Sequence, residues 1–266
     1  MRIHKIAILA IFAALAITVA TAVAALHSQN QGSSSPARQQ EANIEDSLPI
    51  ADYETIAPSD SDERVKRHEK NKKYNKSRFN VSTFLTGKQG VVFNDWEEGL
   101  DSALPTVQST AIIIGEVADT KAYVSEDRTG VYSEFTIQIN EILKNDSNLP
   151  LAVGGSFEAE RQGGRVRAPF GHTVCFFVAG QGVPRVRQKY VFFLGRNPRE
   201  EVNINPPIQR DMSRNILTAY ELRGGQVFPL DSAGGRDFKI YAGMAETTFL
   251  TGLRKTITSP SQVIPK

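Results

Sequence analysis

Arg165 and Arg167, and then Arg185, Arg187 and Lys189, alternate along two stretches of the chain. Alternate residues of an extended strand point to one face. If both stretches are strands and neighbours, five cations line one surface, which suits carboxylates, phosphates or sulfates. A solvated strand face that discourages edge-to-edge pairing has the same pattern. These five are the candidate binding residues. Glu158 and Glu160 offer a second chemistry, because they also share a strand face. Retaining glycosidases hold two carboxyl groups roughly 5–5.5 Å apart and inverting ones hold them farther apart. Arg161 and Arg165 lie near enough in the chain to neutralise this pair, and Glu-x-Glu is common on exposed strands.

Other reactive residues are few. Of His4, His27, His68 and His172, only His172 falls in the region that reads as folded. No His/Cys cluster has zinc-like spacing, so no metal or cofactor is expected. His172 and the single cysteine, Cys175, are an odd number of residues apart, which places them on opposite strand faces. Cys175 precedes Phe176-Phe177-Val178 and reads as a buried small apolar residue. The chain has neither a Gly-x-Ser-x-Gly elbow nor a Gly-x4-Gly-Lys phosphate loop. Tyr132, Tyr190, Phe192 and Phe193 are a stacking platform or core aromatics, and core is the commoner fate in strands. Asn75, Asn80 and Asn145 each begin an Asn-x-Ser glycan acceptor.

The elements that must carry these residues are mostly strands. Val107–Val117 holds the apolar run Ala111–Ile114, in the manner of a buried strand. Val131–Ile139 alternates, with Val131, Ser133, Phe135, Ile137 and Ile139 on one face. Asp127–Gly130 supplies the turn between them. Ser156–Arg161 and Arg165–Phe170 flank Gln162-Gly163-Gly164, which predicts a hairpin. After their first residues, Thr173–Ala179 and Lys189–Leu194 are apolar throughout, as strands covered on both faces are. Ile216–Leu222 and Gln226–Leu230 form a second hairpin around Gly224-Gly225, and Phe238–Tyr241 reads as a last strand. Ala245–Ile257 alone has helix spacing, with Phe249, Leu250, Leu253 and Ile257 on one side. The fold class is therefore mainly β, a small antiparallel barrel or sandwich with one C-terminal helix.

What precedes this domain decides where it works. Arg2 and Lys5 are followed by Ile6–Leu26, 21 residues without a charge. At 1.5 Å per residue a helix of that length spans roughly 31 Å, about one hydrocarbon core. Residues 1–26 are thus a signal anchor through residues 6–26, or a cleaved signal peptide ending at Ala20-Thr21-Ala22 or Ala22-Val23-Ala24. The continuation to Leu26 favours the anchor. Residues 27–78 read as a disordered charged linker, because apolar residues are sparse until Phe79. Glu41–Glu63 holds eight acidic residues and no Lys or Arg, and Arg64–Arg78 then holds eight basic residues against Glu69. Residues 79–258 form the β-domain and 259–266 a tail. The domain is expected outside the cytoplasm, membrane-anchored or, after cleavage, secreted or periplasmic.

Three segments in order, Ile112-Ile113-Ile114-Gly115-Glu116-Val117, Tyr132-Ser133-Glu134-Phe135-Thr136-Ile137 and Glu141-Ile142-Leu143-Lys144, resemble the netrin-like domain shared with tissue inhibitors of metalloproteinases. Tyr190-Val191-Phe192-Phe193-Leu194 after a Gly-rich break fits the same outline, so the resemblance covers residues 107–195. It implies an OB-type barrel. Those inhibitors chelate a protease metal through an amino-terminal cysteine, which this chain lacks, so protease inhibition is not implied. The expected function is a non-enzymatic, membrane-tethered binding module for an anionic polymer or a protein, with no nucleic-acid partner. The alternatives are an exported glycan hydrolase using Glu158 and Glu160, and a structural spacer.

Overall fold

The computed structural model describes residues 48–53, 61–75, 91–94, 102–169, 171–196, 214–232 and 237–259. The anchor or signal segment 1–26, the first part of the expected linker and the tail beyond Ser259 lie outside the described residues. No helix among the described residues is long and apolar enough to cross a membrane.

The fold is mainly β, with two sheets and a C-terminal helix. In chain order the elements are β1 (Ile50–Asp52), helix α1 (Ser61–Lys73), β2 (Val91–Asn94), β3 (Ala111–Val124), β4 (Val131–Lys144), β5 (Ser156–Gln162), β6 (Gly164–Arg167) and β7 (Thr173–Val178). There follow β8 (Lys189–Gly195), β9 (Arg214–Arg223), β10 (Gln226–Pro229), a 3-10 turn at Phe238–Tyr241, β11 (Met244–Ala245) and helix α2 (Glu246–Thr258).

The larger sheet closes on itself. β3 pairs antiparallel with β4 on one side and β8 on the other. β5 pairs antiparallel with β4, and β9 joins β5 in parallel and β8 in antiparallel. The order β3–β4–β5–β9–β8 therefore returns to β3, and no strand of the ring has a free edge at its pairing positions. β10 and β11 extend outward from β9. The second sheet has the order β1–β6–β7–β2, with β1 parallel to β6, and β2 parallel to β7.

The apolar runs are explained by burial on both faces of the ring. Ile113, Phe135, Ile137, Ala159, Tyr190, Phe192 and Ala219 fill its interior. Their neighbours Ile112, Ile114, Val191, Phe193 and Tyr220 point outward and are covered by Phe249, Leu250 and Leu253 of α2. Each Ile, Leu, Val or Phe among them contributes about 1.5–3 kcal/mol on burial. Val131 meets Val166, Val174 and Phe176 of the smaller sheet in a third cluster.

Two buried ion pairs fix the ends of the ring. Arg214, at 1% exposure, places Nη1 at 3.1 Å from Asp146 Oδ2 and donates from Nη2 to the Leu149 carbonyl. Arg196 donates to the other Asp146 oxygen at 2.7 Å. Arg161 donates to Asp231 Oδ2 at 2.7 Å and to the Gly182 carbonyl at 2.8 Å, and the Gly182 N–H closes the loop on Asp231 Oδ1 at 2.9 Å.

Three expectations are corrected. Ser156–Arg161 and Arg165–Phe170 do not form a hairpin, because β5 and β6 belong to different sheets. The chain turns a corner at Gly163 and Gly164, with φ of 110° and 146°, a region that disfavours side-chain-bearing residues. The hairpin partner of β6 is instead β7. Phe238–Tyr241 is a 3-10 turn, not a strand, and Phe238 is buried against Tyr220. The disordered linker 27–78 gives way, within the described residues, to β1 and α1, both in contact with the β-domain. The unit that contains them begins by Leu48, not at residue 79.

Candidate functional site

The five candidate cations are not one surface. Arg165 and Arg167 lie on β6 in the smaller sheet, whereas Lys189 opens β8 in the ring. Arg185 and Arg187 precede β8 in a turn, with the Gln188 N–H donating to the Arg185 carbonyl and Arg187 at φ 64°. Without an extended backbone the alternation loses its meaning. Arg185 is bidentate on Glu221 at 2.9 and 3.1 Å, and its N–H donates to the Tyr190 hydroxyl. The half-buried Arg165 donates to the Leu48 carbonyl at 2.9 Å, and the exposed Arg167 pairs with the exposed Asp52 at 3.4 Å. Arg187 and Lys189 are exposed.

The chemistry gathers elsewhere, on the outer face of β3, β4 and β5. Period-two geometry brings Tyr123, Tyr132, Glu134, Glu158 and Glu160 to that face. The strand register sets Tyr123 opposite Tyr132, and Glu134 opposite Glu160. Two carboxylates directly opposite each other destabilise a sheet unless a cation sits between them. Arg161, on the same strand as Glu160 but of opposite parity, points away to Asp231 and supplies no charge here. The neutralising residues come from α1.

Helix α1 lays Arg67, Lys70 and Asn71 over the face, and Tyr74 joins them from the turn directly after it, at spacings of three, four and seven from Arg67. Arg67 grips Glu134 with Nη1–Oε1 at 2.6 Å and Nη2–Oε2 at 3.2 Å. Its guanidinium carbon also stands 3.6 Å above the Tyr123 ring centroid. Lys70 Nζ reaches Glu134 at 3.1 Å, Glu158 at 3.2 Å and Glu160 Oε1 at 3.6 Å. The Tyr74 hydroxyl donates to Glu160 Oε2 at 3.0 Å, and Lys73 stands 3.8 Å from the same oxygen. The Tyr74 and Tyr132 rings stack with centroids 4.1 Å apart and planes at 6°. The Tyr132 hydroxyl donates to Asn71 Oδ1 at 2.7 Å.

The turn between β3 and β4 holds the far end of α1. His68 faces Glu126 at 3.2 Å, and the Asp127 N–H donates to Asn75 Oδ1 at 3.1 Å. Gly130 is needed here, since a Cβ on it would stand 2.5 Å from the Tyr74 carbonyl oxygen.

Burial sets the electrostatics. Glu160 has no exposed side-chain surface, and the Lys70 side chain only 9%. Burial pushes the Tyr74 phenol well above its ordinary value, and the Glu160 carboxylate adds to the rise. Tyr132 is raised by burial against the opposing pull of Arg67. Burial lowers the Arg67 pKa, but Glu134 overrides that and holds the guanidinium charged. Glu160 Oε1 has no hydrogen-bond donor, its nearest cation being Lys70 at 3.6 Å. His172 Nε2, in the loop between β6 and β7, is also without a hydrogen-bond partner. Among the described residues no group of three or more His, Cys, Asp or Glu is arranged to hold a metal.

Sequence reasoning found Glu158 and Glu160 but assigned their counter-ions to Arg161 and Arg165. It missed Glu134, Tyr123 and the whole contribution of α1. The available signal was the spacing of Arg67, Lys70 and Tyr74, a polar stripe that a search for apolar periodicity passes over. No protein-family model, curated protein or solved structure matches the chain.

Proposed function

We propose that the chain is a non-enzymatic, membrane-tethered binding module whose recognition surface is the outer face of β4 and β5. The observation that carries this reading is the closed order β3–β4–β5–β9–β8 with β5 and β9 as the parallel pair. That order is consistent with an OB-type Greek-key barrel, in line with the netrin-like resemblance of residues 107–195. OB-type barrels bind ligands on the face of their second and third strands and on the loop between the first and second. In this chain those are β4, β5 and the turn Ser125–Gly130, where the acidic and aromatic side chains gather. Residues 6–26 supply the tether, and the proposed site of action is outside the cytoplasm.

Catalysis by Glu158 and Glu160 is disfavoured by their partners. While α1 is in place, Glu160 is covered by Lys70, Lys73 and Tyr74, which leaves a sugar no access to its carboxyl group. The acidic face also weighs against a nucleic acid, and the dispersal of the five cations weighs against a polyanion.

The test is site-specific photo-cross-linking in the native host. A benzophenone side chain at Glu158, which is 59% exposed, is compared with one at Thr251 on the exposed side of α2. Adducts to another protein at position 158 but not at 251 are expected. Equal adducts at both positions would contradict the assignment of the face, and glycan turnover lost in Glu160→Gln would reinstate the enzyme.

A further inference from the structure

We infer that the β4–β5 face binds a basic α-helical segment of a partner protein, and that α1 is a resident mimic of that segment which the partner displaces. This rests on the reading of that face as the recognition surface.

Three features define the ligand. Glu134 and Tyr123 together form a seat for one guanidinium, held edge-on by the carboxylate and flat against the ring. Glu134, Glu158 and Glu160 converge on one ammonium. Tyr132 offers a stacking plane beside the Glu160 acceptor. Arg67 and Lys70 of α1 and Tyr74 directly after it meet these three, so the seats are spaced for successive turns of one helix and the turn that closes it. A polyamine or a sugar has no reason to match that spacing. The required sequence is Arg-x-x-Lys-x-x-x-aromatic.

Two features mark α1 as exchangeable. Among the described side chains, those set against the face are Arg67, Lys70, Asn71, Lys73 and Tyr74, none of them aliphatic. Contacts of this kind belong to the low-stability end of a fold. The fit is also incomplete, because Glu160 Oε1, fully buried, is left without a hydrogen-bond donor. A ligand with a better-placed donor gains what α1 leaves unmade.

The occupant is a partner rather than α1 of a second copy. α1 is joined through residues 54–60 to β1 and through residues 76–90 to β2, and both strands are paired within the smaller sheet. Exchange between copies requires unpairing both, whereas displacement in place requires neither. Held so close, α1 competes at an effective concentration on the order of millimolar, and the apparent affinity for a partner falls by the fraction of open face.

The experiment uses the full chain and a labelled peptide of sequence Ser61–Asn75, followed by fluorescence anisotropy. A variant carrying Arg67→Ser, Lys70→Ser and Tyr74→Ser has the face vacated. It is expected to bind the peptide at least tenfold more tightly than the unmodified chain, and at least tenfold more tightly than it binds a scrambled peptide of the same composition. Adding Glu134→Gln and Glu160→Gln is expected to abolish binding. Equal binding of native and scrambled peptides overturns the inference, as does no binding by a variant whose unfolding midpoint shows it folded. If the triple variant does not fold, Tyr74→Ser alone gives the same test with an expected gain of about threefold, and no gain overturns it. Loss of peptide binding with cross-linking at Glu158 retained retires the helical ligand and leaves the recognition face. Loss of both retires the face.

Discussion

The molecule neutralises buried carboxylates in two ways. Asp146 and Asp231 are met by Arg214, Arg196 and Arg161, which sit within or beside the strands of the ring. Glu134 and Glu160 are met by Arg67, Lys70, Lys73 and Tyr74, which sit on or directly after a helix laid over the ring from outside. In the first case Arg161 and Arg214, each with a side chain 2% exposed, cannot leave without opening the ring. In the second the cations leave when one helix lifts. The same chemistry thus serves as a structural pin in one place and as a removable cover in the other.

The comparison breaks first at the pins. Asp146→Ala strands the Arg214 guanidinium in a site with 1% exposure, which is expected to cost about 3–5 kcal/mol in urea unfolding. A loss below 1 kcal/mol would erase the distinction between the two regions. Burial raises the Asp146 pKa, but Arg196, the Asn148 N–H and Arg214 outweigh it and hold the carboxyl below its ordinary 3.8. Its stabilisation is therefore in place above pH 3.8 and is lost as the pH falls through the lower folded-state value. Acid titration of stability in wild type and Asp146→Asn, which lacks this contribution, measures it.

A middle-sized effect is expected at the cover. Tyr74→Phe removes the hydroxyl that donates to Glu160, at a cost of about 1–2 kcal/mol, read as loss of amide protection in α1. Because the folded state holds Tyr74 above the ordinary tyrosine value of 10, its contribution is complete below pH 10 and is lost as the pH rises through the folded-state value. Wild-type α1 should loosen above pH 10 more steeply than α1 in Tyr74→Phe, and equal slopes would assign the alkaline response to the lysines. The smallest effect belongs to Glu158→Gln. This side chain is 59% exposed and shares Lys70 with two better-buried carboxylates, so the expected change is about 0–1 kcal/mol. A loss matching that of Tyr74→Phe would move the centre of the cover from Glu160 to Glu158.

Much of the mainly-β fold was legible because several strands of the ring bury both faces. Ala111–Ile114 and Tyr190–Leu194 are apolar for that reason, and the Phe249–Leu253 stripe marks α2. The hairpin across Gly224-Gly225 was readable from its glycines. The β5–β6 hairpin was misread because two glycines serve a corner between sheets as well as a turn within one. The candidate site was half legible. Glu158 and Glu160 declare a shared face by alternation, but nothing in a strand says which distant segment will cover it. Residues 61–74 looked like linker because disorder is inferred from missing apolar surface, and α1 docks through charge and ring stacking instead. The alternation of Tyr132 and Glu134 with core residues held, yet both are buried, since α1 covers the face that was expected to meet water.

The most direct test of the removable cover is native-state hydrogen exchange on the full chain, comparing wild type with Glu160→Gln. In wild type the amides of α1 should be protected, but by much less than those of β3, β4 and β5. In Glu160→Gln the α1 protection should disappear while the three strands keep theirs. Loss of protection in α1 and the strands together would contradict the account, as would an α1 with no protection in wild type.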